Sequence, residues 1–287
     1  MCVPKCTIAM ALEKLYGDQF DSTWLKTSIG REYFASIVRK GKRRIYGSLE
    51  RPSLPPHLIP ELVSYKVFLS GKAGVGKTST VAKLVGIPVP TTHSETPGIV
   101  TSTVYWPVKL LHPDKVLLFC LQFWDAGDNA IRKFEHILPA CKRGADAILN
   151  LFSFTDRQSF EDLQSQMSHS ARSGEHAIRM VVGTKYDLYS NSEITSRELQ
   201  DFQEQWKVPI LKIKNSSKPA GNELLYSVDN MQEVNEVAAV MNSLLEYIWT
   251  QKKISTGELR PEDIVTKTEV DGRDDRQSSE ELEASYV

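Results

Sequence analysis

Residues 71–78, GKAGVGKT, satisfy G-x-x-x-x-G-K-[ST] at every position. They stand between a short apolar run, YKVFLSG (65–71), and a helix-forming one, KTSTVAKLV (77–85). The chemistry needs that context. Gly74 and Gly76 let the backbone curl so that successive N–H groups face phosphate oxygens. A helix beginning near Lys77 adds the positive end of its dipole. The Lys77 ammonium neutralises the outer phosphates, and the Thr78 hydroxyl can ligate a bridging Mg²⁺. Gly71, Ala73, Val75 and Ser79 complete the candidate cradle.

A second constellation reads the base. The run RMVVGTKYD (179–187) is an apolar strand ending in Thr184, Lys185 and Asp187. A carboxylate at a strand end can accept two hydrogen bonds, from guanine N1–H and its exocyclic amine. Adenine offers no such pair of donors. The aliphatic stem of Lys185 can lie over the base plane. Asp187 therefore favours GTP or GDP as ligand and speaks against an ATP-dependent enzyme such as a kinase, the third reading of a phosphate loop.

The order of GKAGVGKT, ETPGI (95–99), WDAGD (124–128) and TKYD (184–187) resembles the Ras/Rab superfamily of small GTPases, over about residues 65–253. The resemblance implies a switch-one role for Thr96, ligating Mg²⁺ and closing on the γ-phosphate. It implies that Asp125 holds Mg²⁺ through a water and that the Gly127 N–H meets the γ-phosphate. It places Val89 where an aromatic usually covers the guanine, and His93 among the nucleotide-binding positions. Flanking stretches REYFASIVRKGKRRIYGSLERP (31–52) and VYWPVKL (104–110), with the shortened FWDAGD, resemble the atypical Rab- and RGK-like branch tied to ciliogenesis and planar polarity effectors. That closer likeness implies partners resembling Inturned, Fuzzy and Wdpcp, a place in the cytosol and at the basal body, and roles in ciliogenesis and vesicle delivery.

Departures from the superfamily bear on catalysis. The usual water-orienting glutamine is absent: Asp128 or Asn129 follows Gly127, and the turn is one residue short. Ala73 replaces a first-loop glycine, so a β-carbon crowds the space an attacking water needs. Thr184 replaces the usual Asn, and a hydroxyl can make some of the same bonds. IKNSS (213–217) stands roughly where the last base-contacting motif belongs. Two functional readings stay open, a switch whose GTP state recruits a partner and a nucleotide-stabilised interaction module that rarely turns over.

The elements that must position these residues are legible from periodicity. IVTSTVYWPVKLL (99–111) and KVLLFCLQFWD (115–125), joined by HPD, read as a hairpin. ADAILNLFSF (145–154) and AIRMVVGT (177–184) are nearly continuous apolar runs, suited to parallel strands buried on both faces. Segments 157–171 and 196–206 are helical in period, VPILKI (208–213) is a last strand, and helix 231–252 gathers Val234, Val237, Ala238, Met241, Leu244, Leu245 and Ile248 on one face. This alternation predicts an α/β P-loop fold, a mostly parallel sheet with one antiparallel hairpin and helices on both faces.

The expected organisation is an N-terminal extension (1–64), a GTPase domain (65–253) and a disordered acidic tail (254–287). The extension carries an amphipathic helix over 22–38, with Ser22 as N-cap and Leu25, Ile29, Tyr33, Phe34, Ile37 and Val38 as its stripe, then the basic run RKGKRR (39–44) and a proline-rich linker (50–60). The stripe either packs on its own domain or docks on a partner. The net charge of −1 gives no global signal for nucleic acid. No apolar run approaches the roughly 20 residues of a membrane span. No signal peptide, myristoyl site or prenyl cysteine is expected, so membrane contact falls to partners or to the basic run. Cys120 and Cys141 read as buried thiols, and Cys2 and Cys6 form half a metal site that no second pair completes.

Overall fold

The computed structural model describes residues 19–38, 54–90, 92, 95–127, 138–172, 177–215 and 230–260. Its elements are α1 (Ser28–Val38), β1 (Glu61–Ser70), α2 (Lys77–Val85), β2 (Ile99–Leu110), β3 (Lys115–Ala126), α3 (Leu138–Lys142), β4 (Ala147–Ser153), α4 (Arg157–Arg172), β5 (Ile178–Thr184), α5 (Ser196–Trp206), β6 (Ile210–Lys212) and α6 (Asn230–Ser255). The six strands form one sheet in the order β2-β3-β1-β4-β5-β6. β2 and β3 pair antiparallel from Ile99↔Ala126 to Leu110↔Lys115, and every other pairing is parallel.

Burial follows the pleat. In β4 all seven residues are buried, and they alternate between cores. Ala147, Leu149 and Leu151 join the cluster that contains α6, whereas Phe152 joins the one under α4 and α5. Continuous hydrophobicity in the sequence is what two-sided burial requires. The apolar stripe of α6, from Val234 through Met241 to Ile248, is buried against the first face. Cys120 and Cys141 are buried free thiols.

The N-terminal segment departs from its predicted form. Instead of one helix from Ser22, a 3₁₀ turn at Trp24–Lys26 precedes α1. Asp21 Oδ1 accepts the N–H groups of Thr23 and Trp24, which fixes the first turn. The Thr27 hydroxyl then accepts the N–H of Gly30 and donates to the Trp24 carbonyl, so Thr27 rather than Ser22 caps the helix. Trp24, Leu25, Tyr33 and Phe34 are buried, while Ile29 is 54% exposed. The side chains of Ile37 and Val38 lie outside the described residues.

This segment is seated on its own domain. The Phe34 ring meets Trp106 edge-on at 4.9 Å, and Phe20 lies 5.9 Å from Phe119. Backbone bonds from Asp21 N to the Lys109 carbonyl and from Leu111 N to the Gln19 carbonyl extend the end of β2. Glu246 Oε1 on α6 accepts the N–H groups of both Gln19 and Phe20.

Boundaries also shift. β1 begins at Glu61, four residues before the predicted start at Tyr65, because its early residues pair with β3 from Leu117 onward. Residues 54–60 of the proline-rich stretch are packed, with Leu58 buried in the main core, so this part does not act as a free spacer. Residues 254–260 belong to the fold: α6 runs to Ser255, Gly257 turns at φ 75°, and the Glu258 and Leu259 N–H groups return to the Lys253 carbonyl. Cys2, Cys6, the basic run 39–44 and residues 261–287 lie outside the described residues.

Candidate functional site

β1 ends at Ser70 and α2 starts at Lys77, and the loop between them turns on three glycines. Gly74 (φ 79°) and Gly76 (φ 96°) are left-handed, a conformation costly for any residue with a Cβ. At Gly71 a Cβ would lie 2.6 Å from the Leu151 carbonyl oxygen on β4. Val75 is fully buried and anchors the loop, whereas Ala73 is exposed at its crest. The Lys77 ammonium donates to the Gly71 carbonyl at 2.6 Å and the Lys72 carbonyl at 3.1 Å, which holds it within the loop. Ser79 follows, half-buried, on the first turn of α2.

Three oxygens converge beside this loop. Thr78 Oγ1 donates to Asp125 Oδ2 at 2.5 Å and lies 2.8 Å from Thr96 Oγ1. Thr96 Oγ1 is 3.3 Å from the same carboxylate oxygen. Thr78 comes from α2, Thr96 from the loop before β2, and Asp125 from the end of β3 beside Leu69 of β1. Asp125 is only 2% exposed, and its Oδ1 is buried with no hydrogen-bond partner. A buried anionic oxygen without a partner is costly, and a hard cation or its bound water would satisfy it. An all-oxygen set with one carboxylate suits Mg²⁺ completed by phosphate oxygens. Among the described residues no group of three or more His, Cys, Asp or Glu side chains forms a metal cluster, so the hydroxyls matter.

Gly127 closes this corner. Its N–H, which the resemblance assigns to the γ-phosphate, here donates to the Gly98 carbonyl at 2.9 Å. A Cβ at Gly127 would lie 2.1 Å from the Thr96 carbonyl oxygen, so only glycine fits.

The residues expected to read the base sit on the same rim. β1, β4 and β5 run parallel, so the phosphate loop and the TKYD turn emerge from the same end of the sheet, outside the strand carboxyl ends where α/β sheets bind ligands. Lys185 is left-handed (φ 56°) and leads into the 3₁₀ turn Tyr186–Asn191, which carries the exposed Asp187. Thr184 is fully buried, and its hydroxyl donates to the Val75 carbonyl of the phosphate loop and lies 3.0 Å from the Phe152 carbonyl. Asn215, just beyond β6, donates from Nδ2 to Thr80 Oγ1 on α2 at 2.9 Å. The sequence singles out only the stretch around it, IKNSS (213–217), and not Asn215 itself. Its only signal was an Asn soon after a strand end, within IKNSS. Val89 is half-buried in the loop after α2. His93, Asp128 and Asn129 lie outside the described residues.

Known proteins resemble this chain. Residues 66–228 match the model of the Ras family. Over 250 residues the chain is 44% identical to Ciliogenesis and planar polarity effector 2 of Mus musculus, covering 86% of this chain and 96% of that protein. The Homo sapiens protein of the same name is 43% identical, with the same coverage of both chains. Ras-related protein Rab-1D of Dictyostelium discoideum is 29% identical over 159 residues, 55% of this chain and 73% of that one. The match over residues 66–228 and these identities, on a chain whose phosphate loop, oxygen-lined corner and Asp187 lie on one rim of a mostly parallel sheet, show that the chain belongs to the Ras family, in the group of the Ciliogenesis and planar polarity effector 2 proteins.

Proposed function

We propose that this protein binds GTP or GDP with Mg²⁺ and acts in ciliogenesis and planar polarity through protein partners, holding its nucleotide far more than it hydrolyses it. The observation that carries the reading is the convergence of the Thr78 and Thr96 hydroxyls on Asp125, next to a loop built around Lys77. The N–H groups of 74–78 and the Lys77 ammonium bind the phosphates. Thr78 and Thr96 would hold Mg²⁺ directly and Asp125 through water. When bound, the ion neutralises charge between the two outer phosphates. Asp187 orients guanine and excludes adenine, and Lys185 covers the base.

Thr96 belongs to the loop that leads into β2, and Gly127 to the one that leaves β3. A γ-phosphate that engages both would change the loop surface offered to a partner. Partners resembling Inturned, Fuzzy and Wdpcp, action at the basal body from the cytoplasm, and a part in vesicle delivery and exocytosis belong to this proposal. Slow turnover is read from the sequence after Gly127: Asp128, in the place of the glutamine, only accepts when ionised, and Asn129 stands one position further along a turn that is one residue short.

Two measurements test the reading. The nucleotide retained through purification is identified by chromatography, and guanine nucleotide with Mg²⁺ is expected. GTP displaced by ATP at similar concentration would instead favour an ATP enzyme. In a single-turnover assay the expected rate is at or below the order of 10⁻⁴ s⁻¹ of an unaided Ras domain. A much faster rate, lost in Asp128→Ala, would overturn the slow-turnover part.

A further inference from the structure

We propose that residues 8–16, which lie outside the described residues, seat as a short amphipathic helix in a groove at the end of the sheet opposite the phosphate loop.

The groove has a volume of 540 Å³ and is walled by the start of β1, the tip of the β2-β3 hairpin and the end of α6. Val63, Trp249 and Leu259 are half-buried there, and Tyr65, Leu110 and Leu117 are buried. The lysines of its rim are already paired, Lys115 with Glu61, Lys252 with Asp146 and Lys253 with Glu258. Matched charges leave apolar wall as what the groove offers an occupant.

The chain runs directly toward it. Residues 19–21 pair antiparallel with the end of β2, through the Asp21 N–H to the Lys109 carbonyl and the Leu111 N–H to the Gln19 carbonyl. Each step back from Asp21 therefore moves toward the hairpin tip. Gln19 itself lines the groove, as do His112 and Pro113 of that tip.

The residues just before have the pattern this surface needs. Positions 7–18 read TIAMALEKLYGD. Ile8, Leu12, Leu15 and Tyr16 recur at i, i+4, i+7 and i+8, the spacing of one helix face. Thr7 suits the N-cap and Gly17 the position just past the C-terminus. Ala, Met, Leu, Glu and Lys between them favour the helix. Isolated helices shorter than about 12–15 residues are marginal in water, so residues 8–16 need a surface for their apolar face. Gly17 and Asp18 alone join them to Gln19, and three extended steps reach only about 10 Å. The groove is the apolar surface at that end of the chain.

The other chain end at the groove is a poorer occupant. Leu259 lines it, but residues 261–287 carry nine Asp and Glu against three Lys and Arg and show no helical stripe. A rim of matched charges gives that acidic stretch no counter-charge. Residues 1–18 carry two acids and two lysines, as a neutral rim requires.

The test uses the full chain. Leu12 is replaced by p-benzoylphenylalanine, and its photo-cross-links are mapped by mass spectrometry. Cross-links within one chain to residues 110–117 or 249–259 are expected. Amide hydrogen exchange gives a second reading. Leu12→Asp combined with Leu15→Asp should speed exchange over 8–16 and 252–259 by about tenfold or more, the effect of losing two buried leucines. Val63→Asp alters the groove and leaves the segment intact, and it should speed exchange over 8–16 in the same way. Cross-links that fall only elsewhere on the chain, or on a second copy, overturn the seat. So does exchange in the Leu12→Asp, Leu15→Asp chain within about twofold of wild type. Where Val63→Asp does not fold, the cross-links and the N-terminal variant decide. If Ile264→Asp with Val265→Asp exposes 252–259 and the N-terminal variant does not, the groove belongs to the C-terminal stretch and the proposal falls.

Discussion

The Trp106 indole N–H donates to Asn242 Oδ1 at 2.9 Å, tying the middle of β2 to α6. The same fully buried ring takes the edge of Phe34 from α1. An N-terminal helix, an edge strand and the last helix thus meet at one side chain. The N-terminal segment is part of the core of the Ras-family domain, and β2 links that core to Thr96.

Removing this contact is expected to unfold more than the extension. Phe34→Ala should cost about 3–5 kcal/mol, as for other fully buried aromatics. Asn242→Leu leaves a buried indole N–H unpaired and should cost about 1–3 kcal/mol. Deleting residues 1–50 should lower the urea midpoint at least as much as Phe34→Ala. Unchanged stability of the deletion, by urea titration monitored through tryptophan fluorescence, would contradict the core role.

Lys77→Ala is expected to abolish the stabilisation that nucleotide gives. A ligand at a hundredfold its dissociation constant raises stability by about 2.7 kcal/mol. Thermal melting with and without GDP and Mg²⁺ checks this. The wild-type melting temperature should rise with nucleotide and that of the variant should not.

Asp125→Asn keeps the shape of the corner and removes its charge. Nucleotide release from wild type should accelerate when EDTA removes Mg²⁺. In the variant, release should be fast with or without EDTA, since the orphaned anionic oxygen that favours the ion is gone. A variant that still responds fully to EDTA would remove Asp125 from the metal site.

Glu198 provides an acid-sensitive contact at the start of α5. It caps α5 by accepting the Thr195 N–H, and it accepts from the Arg157 guanidinium at 2.8 Å. The Thr195 backbone N–H first, and then Arg157, hold its carboxyl down at about 2, against an ordinary 4.5. The folded value lies below the unfolded one, so this contribution is fully present above about pH 4.5 and is lost as pH falls toward 2. Glu198→Gln should lower stability above about pH 4.5 and flatten the profile within that window, so that the difference from wild type shrinks as pH falls toward 2. Urea midpoints at several pH values read the difference.

Much of this was legible in the chain because it depends on local spacing. The phosphate loop needs glycines, a lysine and a hydroxyl at fixed offsets between a strand and a helix, and periodicity located both elements. Continuous apolar runs marked β4 and β5 because strands covered on both faces have no polar side to show. The stripe of α6 followed from a period near 3.6. Family likeness drew Thr96 and Asp125 toward one function, but nothing local in the sequence says that two residues 29 positions apart share an oxygen contact.

Tertiary structure decided where local rules compete. Asp21, 3₁₀ bonding and the Thr27 hydroxyl delayed α1 to Ser28, which turned Ile29 to solvent. Pairing with β3 drew Glu61–Ser64 into a strand that hydrophobicity alone does not mark, since of these four residues only Val63 is half-buried and the others are exposed. Thr184 bonds to Val75 of the phosphate loop and Asn215 to Thr80 of α2, both more than 100 residues earlier. A polar side chain in a sequence announces what it can donate or accept. Which group takes the bond is set by the strand order that brings β5 and β6 to the same rim as β1.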